Sequence, residues 1–188
     1  MKKIGITGSV SSGKSTATKI LAQKSYPIFS ADMEVKKLYE DKKFIKILSN
    51  KFKLQKTVNI KKKVRTMILS KRENIEKLEK LIHPLIRKKM RYFAKKNKKR
   101  TFIFFEIPLL VESKLLRFFD LTIFISSSRK LRLKRYLRKG GKKSLFKFLD
   151  KRQANPSIKK RKCDFIVVNN TTKKVLKKNL LNILNIHE

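Results

Sequence analysis

Five apolar runs, at residues 4–7, 27–29, 101–105, 121–125 and 165–168, punctuate a chain whose remaining stretches are lysine-rich and compatible with helices. A strand with one wet face alternates apolar and polar residues; these runs hardly do. Near-continuous apolar runs mark strands covered on both faces, as in a parallel sheet. Helix-compatible segments lie between them at residues 15–24, 33–48, 74–96, 128–138, 144–153 and 173–186. The alternation predicts an α/β fold, a doubly wound parallel sheet of about five strands flanked by helices with right-handed crossovers. His83-Pro84 interrupts a long helical pattern, so a bend is expected there, with Pro84 opening a new helix at its first turn.

In such a sheet functional groups gather at the carboxyl ends of the strands. Four places follow from that rule: the loop after Ile6; Ser30-Ala31-Asp32 after Phe29; the segment from Glu106 through Pro108 to Glu112 after Phe105; and the serines after Ile125, which lead into Arg129, Arg132, Arg135 and Arg138. Spaced by three, those arginines lie along one helical face.

The loop is the most specific of the four. Residues 8–16 satisfy G-x-x-x-x-G-K-[ST] between an apolar strand and a helix. In this pattern glycines let backbone N–H groups turn inward around phosphate oxygens, the lysine reaches the β- and γ-phosphates, and the next hydroxyl ligates magnesium. A helix beginning near Lys14 adds its positive dipole end to the same field. Gly8, Ser11, Ser12, Gly13, Lys14, Ser15 and Thr16 form the expected nucleotide-binding set, with ATP and Mg2+ as ligands and Ser15 on the metal. A strand-to-helix turn merely rich in small residues is the alternative, and it leaves the coincidence of strand, loop and lysine unexplained.

Phosphoryl transfer needs charge shielding, alignment of donor and acceptor, and removal of the acceptor hydroxyl's proton. Lys14 and magnesium meet the first need. Asp32, expected at the end of a strand neighbouring the loop, is the candidate for the third; it can equally be the N-cap of a helix starting near Met33, and the two roles are compatible. The arginine row can be a solvated face. Followed by the expected flexible joint Lys139-Gly140-Gly141 and a short helix, it can also be a mobile lid over about 129–155 that excludes water, with Arg135 and Arg138 as catalytic arginines on the transferring phosphoryl. His83 is either an acceptor contact or a cap or packing residue. His187 carries no signal.

Charge and composition narrow the classes. At 188 residues with 40% hydrophobic content, one core with subordinate lobes is expected. The formal charge of +39 would attract nucleic acid. However, lysine greatly outnumbers arginine, Asn and Ile are frequent, and the basic residues run along the whole chain, as an AT-rich genome produces at tolerant surface positions. No specific nucleic-acid partner is expected, although a basic nucleic-acid-binding module with a residual nucleotide site stays open as an alternative. The single cysteine, Cys163, excludes an intramolecular disulfide and a cysteine-based zinc cluster. No stretch approaches a membrane span and no signal-peptide pattern opens the chain, so a cytoplasmic location is expected and no membrane partner.

Taken together, these motifs resemble the bacterial dephospho-CoA kinases, P-loop kinases that phosphorylate the ribose 3′-hydroxyl of dephospho-CoA. Residues 4–16 follow that family's Ile-Gly-Leu-Thr-Gly-Gly-Ile-Gly-Ser-Gly-Lys-Ser-Thr in register, and its Asp-Ala-Asp stands as Ser30-Ala31-Asp32. Its His-Pro-Leu-Val-Arg stands as His83-Pro84-Leu85-Ile86-Arg87, and its Asp-Ile-Pro-Leu-Leu-Phe-Glu as residues 106–112. Lys151-Arg152-Gln153, Lys159 and residues 162–167 follow its closing elements. The resemblance implies ATP and dephospho-CoA as substrates, Asp32 as catalytic base, an acceptor lobe over about 33–97, and His83, Arg87, Glu106 and Pro108 as acceptor-binding residues. Ser9 and Ser11 replace family glycines; Ser30 and Glu106 replace aspartates; Glu34 and Lys36 replace an apolar residue and a histidine; Asn169-Asn170-Thr171 replaces Asn-x-Gly. Another small P-loop nucleoside or nucleotide kinase is the nearest alternative.

Overall fold

Each apolar run forms a strand: β1 (Lys2–Gly8), β2 (Ile28–Ser30), β3 (Phe102–Glu106), β4 (Leu121–Ser126) and β5 (Phe165–Val168). The computed structural model describes residues 1–23, 25–54, 63, 64, 66, 67 and 72–186; Lys24, expected to end the first helix, and His187 lie outside the described residues. All strand pairs are parallel, in the order β2-β3-β1-β4-β5. Ile4 and Ile6, Phe102 to Phe105, and Ile123 to Ile125 are buried on both faces of the three central strands, which is why those runs lack alternation. The two edge strands depart from this expectation: Ile28, Ile166 and Val168 are exposed beside buried Phe29 and Val167.

Strand order corrects a second expectation. β1 lies between β3 and β4, so β2 is one strand removed from the loop-bearing strand and Ser30 stands in register with Glu106.

The helices among the described residues include α1 (Lys14–Ala22), α2 (Ala31–Leu38), α3 (Lys42–Lys51), α4 (Arg72–Lys96), α5 (Arg129–Arg138), α6 (Lys143–Arg152), α7 (Pro156–Lys162) and α8 (Lys173–Asn185). α1 and α8 close one face of the sheet, burying Ala17, Leu21, Leu176, Leu180, Ile183 and Leu184 against β1, β3 and β4. The α8 residues recur at helical spacing, so the buried stripe fixes which way the helix faces.

Three helix expectations are revised. Residues 33–48 form two helices, because the Asp41 carboxylate accepts from the N–H groups of Lys43 and Phe44 at 2.8 and 3.4 Å and caps a new start. α4 runs unbroken through Pro84. Proline there removes the N–H that would bond the Lys80 carbonyl, but Ile75, Leu78, Ile82, Ile86 and Met90 form a continuous buried stripe along the helix, and packing outweighs local propensity. α7 was not anticipated; Asn155 caps it by accepting the Ser157 N–H at 2.9 Å, with Pro156 in the first turn.

The chain folds as two compact units, Met1–Ser30 with Phe93–Glu188, and Ala31–Tyr92. The first holds the sheet. In the second, Glu34 bridges Lys37 and Lys89 at 2.7 Å each. Partial burial pushes the Glu34 carboxyl up, and the two lysines outweigh it and hold it below its ordinary value. Among the described residues no helix is long and apolar enough to cross a membrane.

Candidate active site

β1 ends at Gly8 and α1 begins at Lys14, leaving five residues to turn the chain around an anion. Their neighbours dictate the residue types. A β-carbon on Gly8 would sit 2.6 Å from the Ile125 carbonyl oxygen, and one on Gly13 would collide with the Asn169 amide. Gly13 also has φ of +101°, open to glycine at little cost. Ser11 has φ of +57°. A serine at this place is harmless only at negative φ; here the left-handed backbone costs about 1–2 kcal/mol.

The loop's polar groups are tied down from outside. The Ser9 carbonyl accepts Lys14 Nζ at 3.1 Å and the Ser12 N–H at 3.1 Å. The Val10 N–H donates to Gln153 Oε1 at 2.8 Å, and the Val10 carbonyl accepts Arg132 Nη1 at 3.4 Å. The Ser12 carbonyl accepts Asn169 Nδ2 at 2.8 Å and Arg135 Nη1 at 3.4 Å. Buried Ser12 Oγ has no hydrogen-bond partner among the described residues. Lys14 is itself buried.

Next to the loop, Ser15 Oγ donates to Glu106 Oε1 at 2.6 Å. Glu106 ends β3 and is buried, so a hydroxyl and a carboxylate, both hard oxygen donors, meet at the carboxyl ends of adjacent strands. Thr16 is exposed in the first turn of α1. Two residues beyond Glu106, the Pro108 carbonyl accepts Thr7 Oγ1 at 3.1 Å and Lys159 Nζ at 3.1 Å. Lys159 is fully buried and pairs with Glu112 at 2.9 Å. Glu112 Oε1 also accepts the Ala154 N–H at 2.8 Å, while its buried Oε2 has no hydrogen-bond partner among the described residues.

The four arginines of α5 do not form one solvated row. Arg132 is buried; it pairs with Asp150 at 2.6 Å, and Arg129 reaches the same carboxylate at 2.9 Å. Both guanidiniums lie over the buried Phe146 ring. Arg135 is half-buried, donating to Ser127 Oγ at 3.1 Å and to the Asn169 carbonyl at 3.0 Å, and Arg138 is exposed in the last turn. The expected flexible joint is a closed turn, in which Gly140 and Gly141 donate to the carbonyls of Leu137 and Tyr136 and Gly141 packs on the Tyr136 ring.

The remaining expected residues lie in the Ala31–Tyr92 unit. Asp32 is exposed, one residue inside α2, so it is a first-turn acid and not the N-cap. His83 and Arg87 are mid-helical, which removes the capping role for His83. Burial pushes the His83 imidazole below its ordinary value; Glu79 opposes and Arg87 adds. Arg132, Gln153 and Asn169 were not anticipated as site residues; each touches the loop from far along the chain, and Gln153 and Asn169 were visible only as members of closing motifs.

A phosphate loop between the central strand and its helix, on a parallel sheet with β3 inserted between β2 and β1, defines a P-loop kinase. A Thermus thermophilus structure shares this fold over 98% of this chain and 97% of its own, with a TM-score of 0.81 at 23% identity. A structure of the dephospho-CoA kinase from Campylobacter jejuni matches over 97% and 95%, with a TM-score of 0.70 at 25% identity. The dephospho-CoA kinase of Bartonella henselae is 30% identical over 186 residues, spanning 94% of this chain and 95% of that one. A family model described as dephospho-CoA kinase matches residues 2–174. The chain belongs to the dephospho-CoA kinase family.

Two outcomes follow from the loop and its supports. Ser11→Gly relieves the left-handed strain and, after glycine's extra freedom in the unfolded chain is deducted, raises stability by up to about 1 kcal/mol in urea unfolding. Asp150 sets a pH dependence. Burial raises its carboxyl, and the hydrogen bonds from Arg132 and Arg129 outweigh this, leaving it below the ordinary 3.8. A depressed folded value means that the stabilisation is complete above the unfolded value and is lost as pH falls through the folded one. Melting midpoints therefore drop below about pH 4 more steeply in the native chain than in Asp150→Asn, which lacks the titrating group.

Proposed function

We propose that the protein transfers the γ-phosphoryl group of ATP directly to the ribose 3′-hydroxyl of dephospho-CoA, giving ADP and CoA. The observation that carries this reading is the meeting of Lys14 and the Ser15–Glu106 pair at the carboxyl ends of β1 and β3, in a chain of this family. Backbone N–H groups of the loop and Lys14 hold the β- and γ-phosphates and offset the charge that develops in transfer. Gly8 and Gly13 let the loop pack closely on its supports, since β-carbons there would run into the Ile125 carbonyl and the Asn169 amide.

Ser15 would ligate magnesium, with Glu106, within hydrogen-bond reach of it, beside the ion's shell; when bound, the ion would supply positive charge that offsets the phosphates. Asp32 orients the acceptor hydroxyl and takes its proton. Its exposure and its lack of any hydrogen bond or ion pair among the described residues leave the carboxylate available for that. Arg135 and Arg138 supply positive charge to the phosphoryl in flight from a lid over about 129–155. Residues of about 33–97, with His83, Arg87, Glu106 and Pro108, make the acceptor site. A cytoplasmic location goes with this reading.

A coupled ADP-release assay across nucleosides, nucleoside monophosphates and dephospho-CoA tests the acceptor. Turnover with dephospho-CoA should exceed the others by orders of magnitude; indifference to it would sink the reading. In the same assay Asp32→Asn lowers kcat at least about 100-fold, the scale of a lost general base, with ATP affinity by calorimetry unchanged. Retained turnover would move the base elsewhere.

A further inference from the structure

Asn169 directly follows β5 and is almost wholly buried. Its backbone N–H donates to the Ser126 carbonyl at 2.8 Å, and its own carbonyl accepts Arg135 Nη2 at 3.0 Å, so the residue is held from both sides of the strand end. From that fixed place its side-chain Nδ2 donates to the Ser12 carbonyl at 2.8 Å. Arg135, anchored on Ser127 Oγ, reaches the same carbonyl. The amide also fills the space that a side chain at residue 13 would take.

In a trans peptide the C=O and N–H groups point in opposite directions. Holding the Ser12 carbonyl against Asn169 therefore turns the Gly13 N–H away from β5 and leaves it for an anion in the loop. We propose that Asn169 is a positioning residue for the triphosphate: it locks the Ser12–Gly13 peptide in the orientation that presents the Gly13 N–H to phosphate oxygens, and it does not bind the adenine. Gly13 itself, at φ of +101°, is the joint about which this peptide would otherwise rotate. Arg135 shares the anchor, so the lid helix and the phosphate loop take their positions from one residue.

The proposal rests on the nucleotide reading of the loop, and the test separates the two. Calorimetry with ATP, inorganic tripolyphosphate and adenosine divides the ligand into whole, phosphate chain, and base with sugar. In Asn169→Ala, affinity for ATP and tripolyphosphate should fall about tenfold or more, as for one lost hydrogen bond to a charged group, with adenosine affinity and the KM for dephospho-CoA unchanged. Asn169→Asp is nearly isosteric, keeps the test open if the alanine variant does not fold, and sets a carboxylate against the Ser12 carbonyl; its loss should be at least as large. Unchanged tripolyphosphate binding overturns the proposal. So does a parallel loss for adenosine, which would mark a base contact or a general loss of structure. A native chain that binds neither ATP nor tripolyphosphate overturns the nucleotide reading itself.

Discussion

A loop that turns its N–H groups toward an anion must turn its carbonyls outward, and those carbonyls need partners elsewhere in the protein. This constraint organises the whole sheet-bearing unit. The carbonyls of Ser9, Val10 and Ser12 find theirs in Lys14, Arg132, and the Asn169–Arg135 pair. The N–H of Val10 is taken up by an outside side chain, Gln153. The supports come from α1, α5, the end of α6 and the residue after β5, so the loop has its shape only when the carboxyl-terminal half of the chain is in place. Arg132 in turn is held by Asp150, and Asp150 by Arg129, so α5 and α6 brace one another while bracing the loop.

Local features were legible in the amino-acid order and long-range ones were not. The five strands could be placed because their apolar runs reflect burial, and the loop because its residue types must coincide within nine positions. Runs at the sheet edges looked the same as central ones: Phe165 to Val168 are apolar whether or not a helix covers them, and only the fold leaves Ile166 and Val168 in water. Strand order had no local signature, which is why β2 was expected beside β1 when β3 lies between them. The break before α3 is a single capping aspartate. Pro84 misled for the opposite reason, since a local rule was outweighed by a stripe of buried side chains.

The site divides along the same line. Lys14, Ser15 and Glu106 were found by motif and the fold brings Ser15 and Glu106 together. Asn169 and Gln153 lie 157 and 143 positions from the loop residues they hold. An asparagine or glutamine alone signals nothing about such a partner. Arg132 and Lys159 were hidden differently: with 52 Lys and Arg in the chain, a basic residue carries almost no information about its role. Only burial distinguishes them, Arg132 over Phe146 and Lys159 between Pro108 and Glu112.

The same imbalance makes the acids informative. Against 52 basic residues there are 13 carboxylates, and nearly any of them could find a lysine. Many hold structure together: Glu34 joins two lysines, Asp41 caps α3, Asp120 accepts the Lys3 N–H, Asp164 holds Thr122, and Asp150 binds two arginines. Asp32 and Glu73 differ, each exposed in the first turn of its helix, α2 or α4, with no hydrogen bond or ion pair among the described residues. In so basic a chain, a carboxylate without a cationic partner needs a reason. For Asp32 the proposed role of proton acceptor supplies one, because a lysine paired with a carboxylate favours its charged form and so makes it a weaker base toward an incoming hydroxyl.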